Sequence, residues 1–108
     1  MEIKKLYISM PISYQEDSVE ERYNKILDYC EQHYPEYDLV FPYDVENGEL
    51  KSNEQIHNYA WFMGKDIMLL SECDAVFMSM GWENSLGCRI ERDIAERTNL
   101  DIFYYEHI

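Results

Sequence analysis

The sequence predicts an α/β fold, a single layered domain built on an open parallel sheet of about four strands flanked by helices. Three observations carry this. Four short apolar or aromatic runs alternate with three longer segments of helical periodicity. The apolar run ending near Ser79 breaks into a polar, glycine-bearing turn, Gly81-Trp82-Glu83-Asn84-Ser85, which opens a helix. The length of 108 residues and the hydrophobic fraction of 46% suit one domain, 1–108, with a single core.

The elements follow in order. Lys5 to Ser9 reads as a buried strand bounded by Pro11. Ser18 to about Tyr34 reads as a helix, with Ser18 as cap, Glu20 and Glu21 in its first turn, and Val19, Tyr23, Ile26, Leu27 and Cys30 as its inward stripe. Tyr37 to Phe41 is a second strand ended by Pro42, and Tyr43 to Ser52, with Asn47-Gly48, reads as an irregular loop. From Asn53 to Ser71, Ile56, Tyr59, Met63, Ile67 and Leu70 recur at helical spacing, with Asp66 at the edge of that stripe. Asp74 to Ser79 is the third strand. Ser85 to about Thr98 is the third helix, with Leu86, Ile90 and Ile94 inward, and Leu100 to Tyr105 is the fourth strand.

Arranged as 2-1-3-4, these strands make a three-layer, Rossmann/flavodoxin-like sheet whose switch point lies between the first and third strands. The loops Met10 to Tyr14 and Met80 to Ser85 then face each other across a crevice. Asn84 and Ser85 are N-cap residue types, so the free amides of the third helix point into that crevice, within reach of Glu91.

Composition narrows the function classes. Lys and Arg number 9 against 22 Asp and Glu, a formal charge of −13, so there is no electrostatic footprint for nucleic acid. The same field favours a neutral small molecule over a free anion. Cys30, Cys73 and Cys88 form no CxxC pair, and His33, His57 and His107 share no ligand spacing, which predicts no metal and a reducing, cytoplasmic setting. No run has membrane-spanning length, and the amino terminus enters a strand without a cleavage signal.

Several pieces then align in order: Tyr7-Ile8-Ser9 with Pro11-Ile12, Trp61 and Met63 leading to Asp66, Cys73-Asp74-Ala75-Val76, Gly81 to Ser85, and Gly87 followed by Glu91 and Ala95. Together they resemble the nucleoside 2-deoxyribosyltransferase-like superfamily, in particular its small phage- and bacterium-associated members and the 2′-deoxynucleoside 5′-monophosphate N-glycosidases. The resemblance implies Glu91 as the nucleophile on the anomeric carbon and Asp66 as the group that holds or protonates the leaving base. It implies Tyr7 as the residue that positions the nucleophile. Ser85 and Gly87 would contact the sugar 5′ group, and Ser9, Met10, Trp82 and Asn84 complete the substrate side. It implies no cofactor, and a homo-oligomer in which a neighbour completes the site. Met10 stands where many relatives have glycine, which places a thioether where others leave room for ligand. The arginine that phosphate-cleaving relatives carry after the first strand is absent from Pro11-Ile12-Ser13-Tyr14.

Read without the resemblance, Glu91 is an acidic residue on the wet face of an amphipathic helix, and Asp66 shares its helix with Lys65 and Glu72. Trp61 and Trp82 bury area, Arg89 and Arg92 are surface charges, and Asp74 is structural. Cys88 lies in a first turn where the macrodipole favours a thiolate, but packing is the plainer role. Three functions are therefore carried forward: glycosyl transfer or hydrolysis on a 2-deoxyribonucleoside or nucleotide, an inactive protein that binds a nucleotide derivative, and an acidic module that engages a basic partner.

Overall fold

The computed structural model of the chain describes residues 3–11, 19–42 and 59–105, and for positions 19 and 59–62 only the backbone. Four strands, β1 (Lys4–Ser9), β2 (Tyr37–Val40), β3 (Ala75–Met78) and β4 (Asp101–Tyr104), form one parallel sheet in the order β2-β1-β3-β4, as the sequence predicts. The last four residues of β1 and all of β3 are buried, because these two central strands are covered on both faces. The outer strands β2 and β4 are only half-buried to exposed.

Three helices cover the sheet: α1 (Val19–His33), α2 (Tyr59–Ser71) and α3 (Leu86–Arg97). On one face Leu6, Ile8, Met10, Ala75 and Phe77 pack against Ile26 and Cys30 of α1. On the other, Tyr7, Val76 and Met78 pack against Leu70 of α2, Cys88 and Ala95 of α3, and Cys73. This split follows from the strand's twofold alternation of side chains. Ser18, the loop Tyr43 to Ser52, the stretch from Asn53 to Asn58 and the loop residues Ile12 to Tyr14 lie outside the described residues.

Helix α3 corrects the sequence expectation. Leu86 is 55% exposed and Ile90 and Ile94 are half-buried, while the buried positions of the helix are Cys88, Glu91 and Ala95. At 100° per residue the buried face is rotated roughly a third of a turn from the apolar stripe. The residue that hides this face from an apolar count is Glu91 itself.

The ends of α3 are well defined. Ser85 accepts a hydrogen bond from the Cys88 amide at 3.3 Å, an N-cap that satisfies one orphan donor. Beyond Thr98, Asn99 adopts φ 61°, and the amides of Asn99 and Leu100 return to the carbonyls of Glu96 and Ala95 at 3.4 and 2.9 Å. This is a Schellman stop, in which asparagine tolerates the left-handed position usually given to glycine. Among the described residues, no helix is long and apolar enough to cross a membrane.

Candidate functional site

The site forms where β1 and β3 end and α3 begins. Gly81 turns the chain out of β3 with φ 88°, a conformation that side chains rarely tolerate, and a single 3-10 turn, Trp82–Asn84, leads to the Ser85 cap. Capping sets the phase of α3, which delivers Glu91 in its second turn to the sheet. Strand alternation delivers Tyr7 and Ser9 to that same face, while Leu6, Ile8 and Met10 go to the other.

Glu91 is 5% exposed, and both of its carboxylate oxygens are engaged. The Tyr7 hydroxyl donates to Oε2, and the Ser9 hydroxyl donates to Oε1 at 2.7 Å. Burial pushes the Glu91 carboxyl up to about 7; the two hydrogen bonds pull it down and the charge of Asp66 adds to the rise. The residue that reads as a solvated surface acid is therefore a desolvated carboxyl whose ionisation is shifted toward neutral pH.

Asp66, half-buried on α2, is pushed up to about 6 by burial, with Lys65 acting in the opposite direction. Its charge reaches both Glu91 and Tyr7. Burial, followed by the charge of Glu91, holds the Tyr7 phenol far above the usual tyrosine range, so it remains a neutral donor. Cys88 is also raised by burial, which outweighs the Ser85 and Ser9 hydroxyls and the Arg22 charge. The thiol stays protonated, and the macrodipole does not make it a nucleophile.

The structure thus gathers Tyr7, Ser9 and Glu91 into one hydrogen-bonded unit, with Asp66 in electrostatic reach and Ser85 beside Cys88. It places Met10 elsewhere: the side chain is 5% exposed and packed in the α1-side core, because residue 10 continues the phase of Leu6 and Ile8. Trp82 is half-buried against the α2/α3-side core, with its ring 5.7 Å from that of Tyr104 and the Arg92 guanidinium 5.4 Å above it. Arg92 also donates to the Tyr104 hydroxyl at 2.8 Å and pairs with Glu96 at 3.2 Å, which makes it part of a surface cluster. Asn84 is exposed in the 3-10 turn, Gly87 is half-buried in the first turn of α3, and the side chain of Trp61 lies outside the described residues. Asp74 is structural, accepting from the Lys5 amide at 2.7 Å.

Two buried polar residues escape the sequence reading. Arg22 is 8% exposed in the first turns of α1, and Ser79 is 3% exposed just past β3. The signal for Arg22 is its spacing, since positions 22, 26 and 30 lie on one helical stripe with Ile26 and Cys30. Among the described residues, no group of three or more His, Cys, Asp or Glu side chains is placed to hold a metal ion.

Comparison with known families places this arrangement. Residues 4–104 match a domain of unknown function, DUF4406. The chain belongs to the DUF4406 family. The match runs from the first residue of β1 to the last of β4, so the whole sheet and the Tyr7–Ser9–Glu91 unit lie within the DUF4406 domain. No curated protein and no solved structure matches the chain.

Proposed function

We propose that this DUF4406 protein cleaves or transfers the N-glycosidic bond of a 2-deoxyribonucleoside or its nucleotide, with Glu91 as the nucleophile. The observation that carries the reading is the desolvated Glu91 carboxylate, held at both oxygens at the carboxyl end of the central strands and facing a second carboxylate in a different environment. Burial raises both, Glu91 to about 7 and Asp66 to about 6, so near neutral pH the pair can hold one proton between them, and a carboxylate beside a protonated carboxyl is the state that glycosyl transfer uses. The resemblance of the ordered motifs to the nucleoside 2-deoxyribosyltransferase-like superfamily supports the same chemistry.

In the first step, ionised Glu91 attacks the anomeric carbon. As the new ester C–O bond forms, the C–N bond breaks, and its electron pair leaves with the base, which takes a proton from Asp66. Asp66, raised to about 6, keeps a protonated fraction near neutral pH. Water or a second base then displaces Glu91 from the sugar. Asn84, Ser85, Gly87 and Trp82, from the turn that precedes α3 and from its first residues, would contact the substrate. No cofactor takes part.

The three free, buried cysteines suit a reducing cytoplasmic setting. The exposed Met80 and Leu86 beside the turn suit self-association into a homo-oligomer. A second reading, a nucleotide-derivative binding protein without turnover, is favoured by one observation: both Glu91 oxygens already have partners in the ground state.

Chromatographic detection of free base separates the two readings. Wild type and Glu91→Gln are incubated with deoxynucleosides and their 5′-monophosphates, with and without an acceptor base. Base release by wild type, reduced roughly ten-thousandfold in Glu91→Gln, is the expected result, and corresponds to about 5 kcal/mol of transition-state stabilisation. A new nucleoside would mark transfer. Equal release by both proteins would overturn the mechanism, and ligand heat in calorimetry without release would favour the binding protein.

A further inference from the structure

We propose that Ser9 is a positioning residue for Glu91: its hydroxyl serves the carboxylate and not the sugar, bracketing Glu91 together with Tyr7 from one face of β1. The kinetic part of this proposal rests on the reading of Glu91 as nucleophile, and the geometric part does not.

A carboxylate torsion at the end of a glutamate is broad and roughly twofold, so a single donor leaves the group free to swing about that contact. Here the two donors come from positions i and i+2 of one strand, side chains about 7 Å apart on the same face, and they grip opposite oxygens. The strand's repeat thereby fixes the plane of the carboxylate. Each oxygen accepts one hydrogen bond and retains a second lone pair, so the group is held without being blocked.

Ser9 is itself immobile. It is fully buried, lies in register with Met78 of β3, and its carbonyl accepts the Ser79 amide at 3.0 Å. Its hydroxyl and that of Ser85 also act on the Cys88 thiol, lowering it against the rise that burial causes. A serine has one proton to donate, and that proton is committed to Glu91. A sugar hydroxyl arriving at the crevice finds no donor left on Ser9. The charged and titratable groups that act here are Tyr7 and Asp66, on Glu91, and Arg22, on the neighbouring Cys88.

The test titrates Glu91 in full-length protein labelled with glutamate carrying ¹³C in the side-chain carboxyl, its resonance identified by its loss in Glu91→Gln. Wild type is compared with Ser9→Ala and Ser9→Thr. Loss of the donor in Ser9→Ala moves the Glu91 midpoint upward by roughly one pH unit, and Ser9→Thr, which keeps a hydroxyl, restores it. With a substrate in hand, Ser9→Ala lowers kcat roughly tenfold and leaves KM in place. An unmoved midpoint in folded Ser9→Ala overturns the proposal, as does a raised KM with an unmoved midpoint, which would make Ser9 a substrate contact. If Ser9→Ala does not fold, Ser9→Cys, of similar size with a weaker donor, moves the midpoint upward by less, and no movement overturns the proposal. If wild type releases no base from any substrate, the glycosyl reading falls, and the titration still decides the role of Ser9.

Discussion

Strand β1 presents two faces made of neighbouring residues, and they hold the protein together in opposite ways. Toward α1, Leu6, Ile8 and Met10 join Ala75 and Phe77 in a purely apolar layer, edged by the rings of Tyr29, Tyr34 and Phe103. Toward α2 and α3, Tyr7 and Ser9 lead to a buried carboxylate. The first face gains stability from area removed from water and from close packing. The second gives some of that up, because burial keeps Glu91 far from its ordinary ionisation. A single strand thus separates stability from chemistry simply by alternating its side chains.

The most disruptive way to break the comparison is on the apolar face. Phe77 is fully buried, and its ring lies 5.7 Å from that of Tyr29 and 6.1 Å from that of Tyr34. Phe77→Ala should cost about 3–5 kcal/mol in urea unfolding, while the Glu91 titration in the protein that remains folded stays near its wild-type midpoint. A large shift of that midpoint would show that the two faces are not separable.

The polar face predicts a pH dependence of the opposite kind to most carboxylates. Glu91 rises from 4.5 to about 7 on folding, so between those values the folded state binds more protons than the unfolded one. The contribution is therefore favourable at low pH, and stability falls as pH rises from about 4.5 through about 7. The full difference is about 3 kcal/mol. Comparing urea midpoints at pH 5 and pH 8 in wild type and Glu91→Gln isolates it: the variant should lose most of the decline, and an identical decline in both would contradict the burial argument.

A smaller effect sharpens the same contrast. Ser85→Ala removes the N-cap of α3 and should lower stability by about 1 kcal/mol. Ser85 makes no hydrogen bond to Glu91, whose partners are Tyr7 and Ser9, so the Glu91 titration should stay near its wild-type midpoint. Thermal unfolding together with the carboxyl titration checks both.

The sheet was readable because each strand is an apolar run and each helix carries a periodic stripe. The order 2-1-3-4 is one of several that parallel crossovers allow, and it is the one the sheet adopts. The site was readable only in part. The order of motifs names Tyr7, Asp66 and Glu91, and the fold brings Tyr7 to Glu91 with Asp66 in electrostatic reach, whereas apolar periodicity alone points to Leu86, Ile90 and Ile94 and turns Glu91 toward water. Met10 stands where the resemblance implies room for ligand, whereas strand phase sends it to the α1 side. Arg22 was missed because a guanidinium on an acidic, exposed-looking helix gives no apolar signal, although it shares a stripe with Ile26 and Cys30. In each case, polar residues at core positions defeat a reading that equates burial with hydrophobicity.

The bonds from Tyr7 and Ser9 to Glu91 join positions 84 and 82 residues apart. A partly folded chain with β1 paired only to β2 has both hydroxyls in place and no carboxylate between them. Closing so long a loop carries an entropic cost that local structure cannot offset, so the contact waits until β3 has joined the sheet and α3 has docked. The buried, doubly held carboxylate therefore exists as such only in the completed domain. In the unfolded chain Glu91 is a solvated, ordinary glutamate, and no single segment builds its environment by itself.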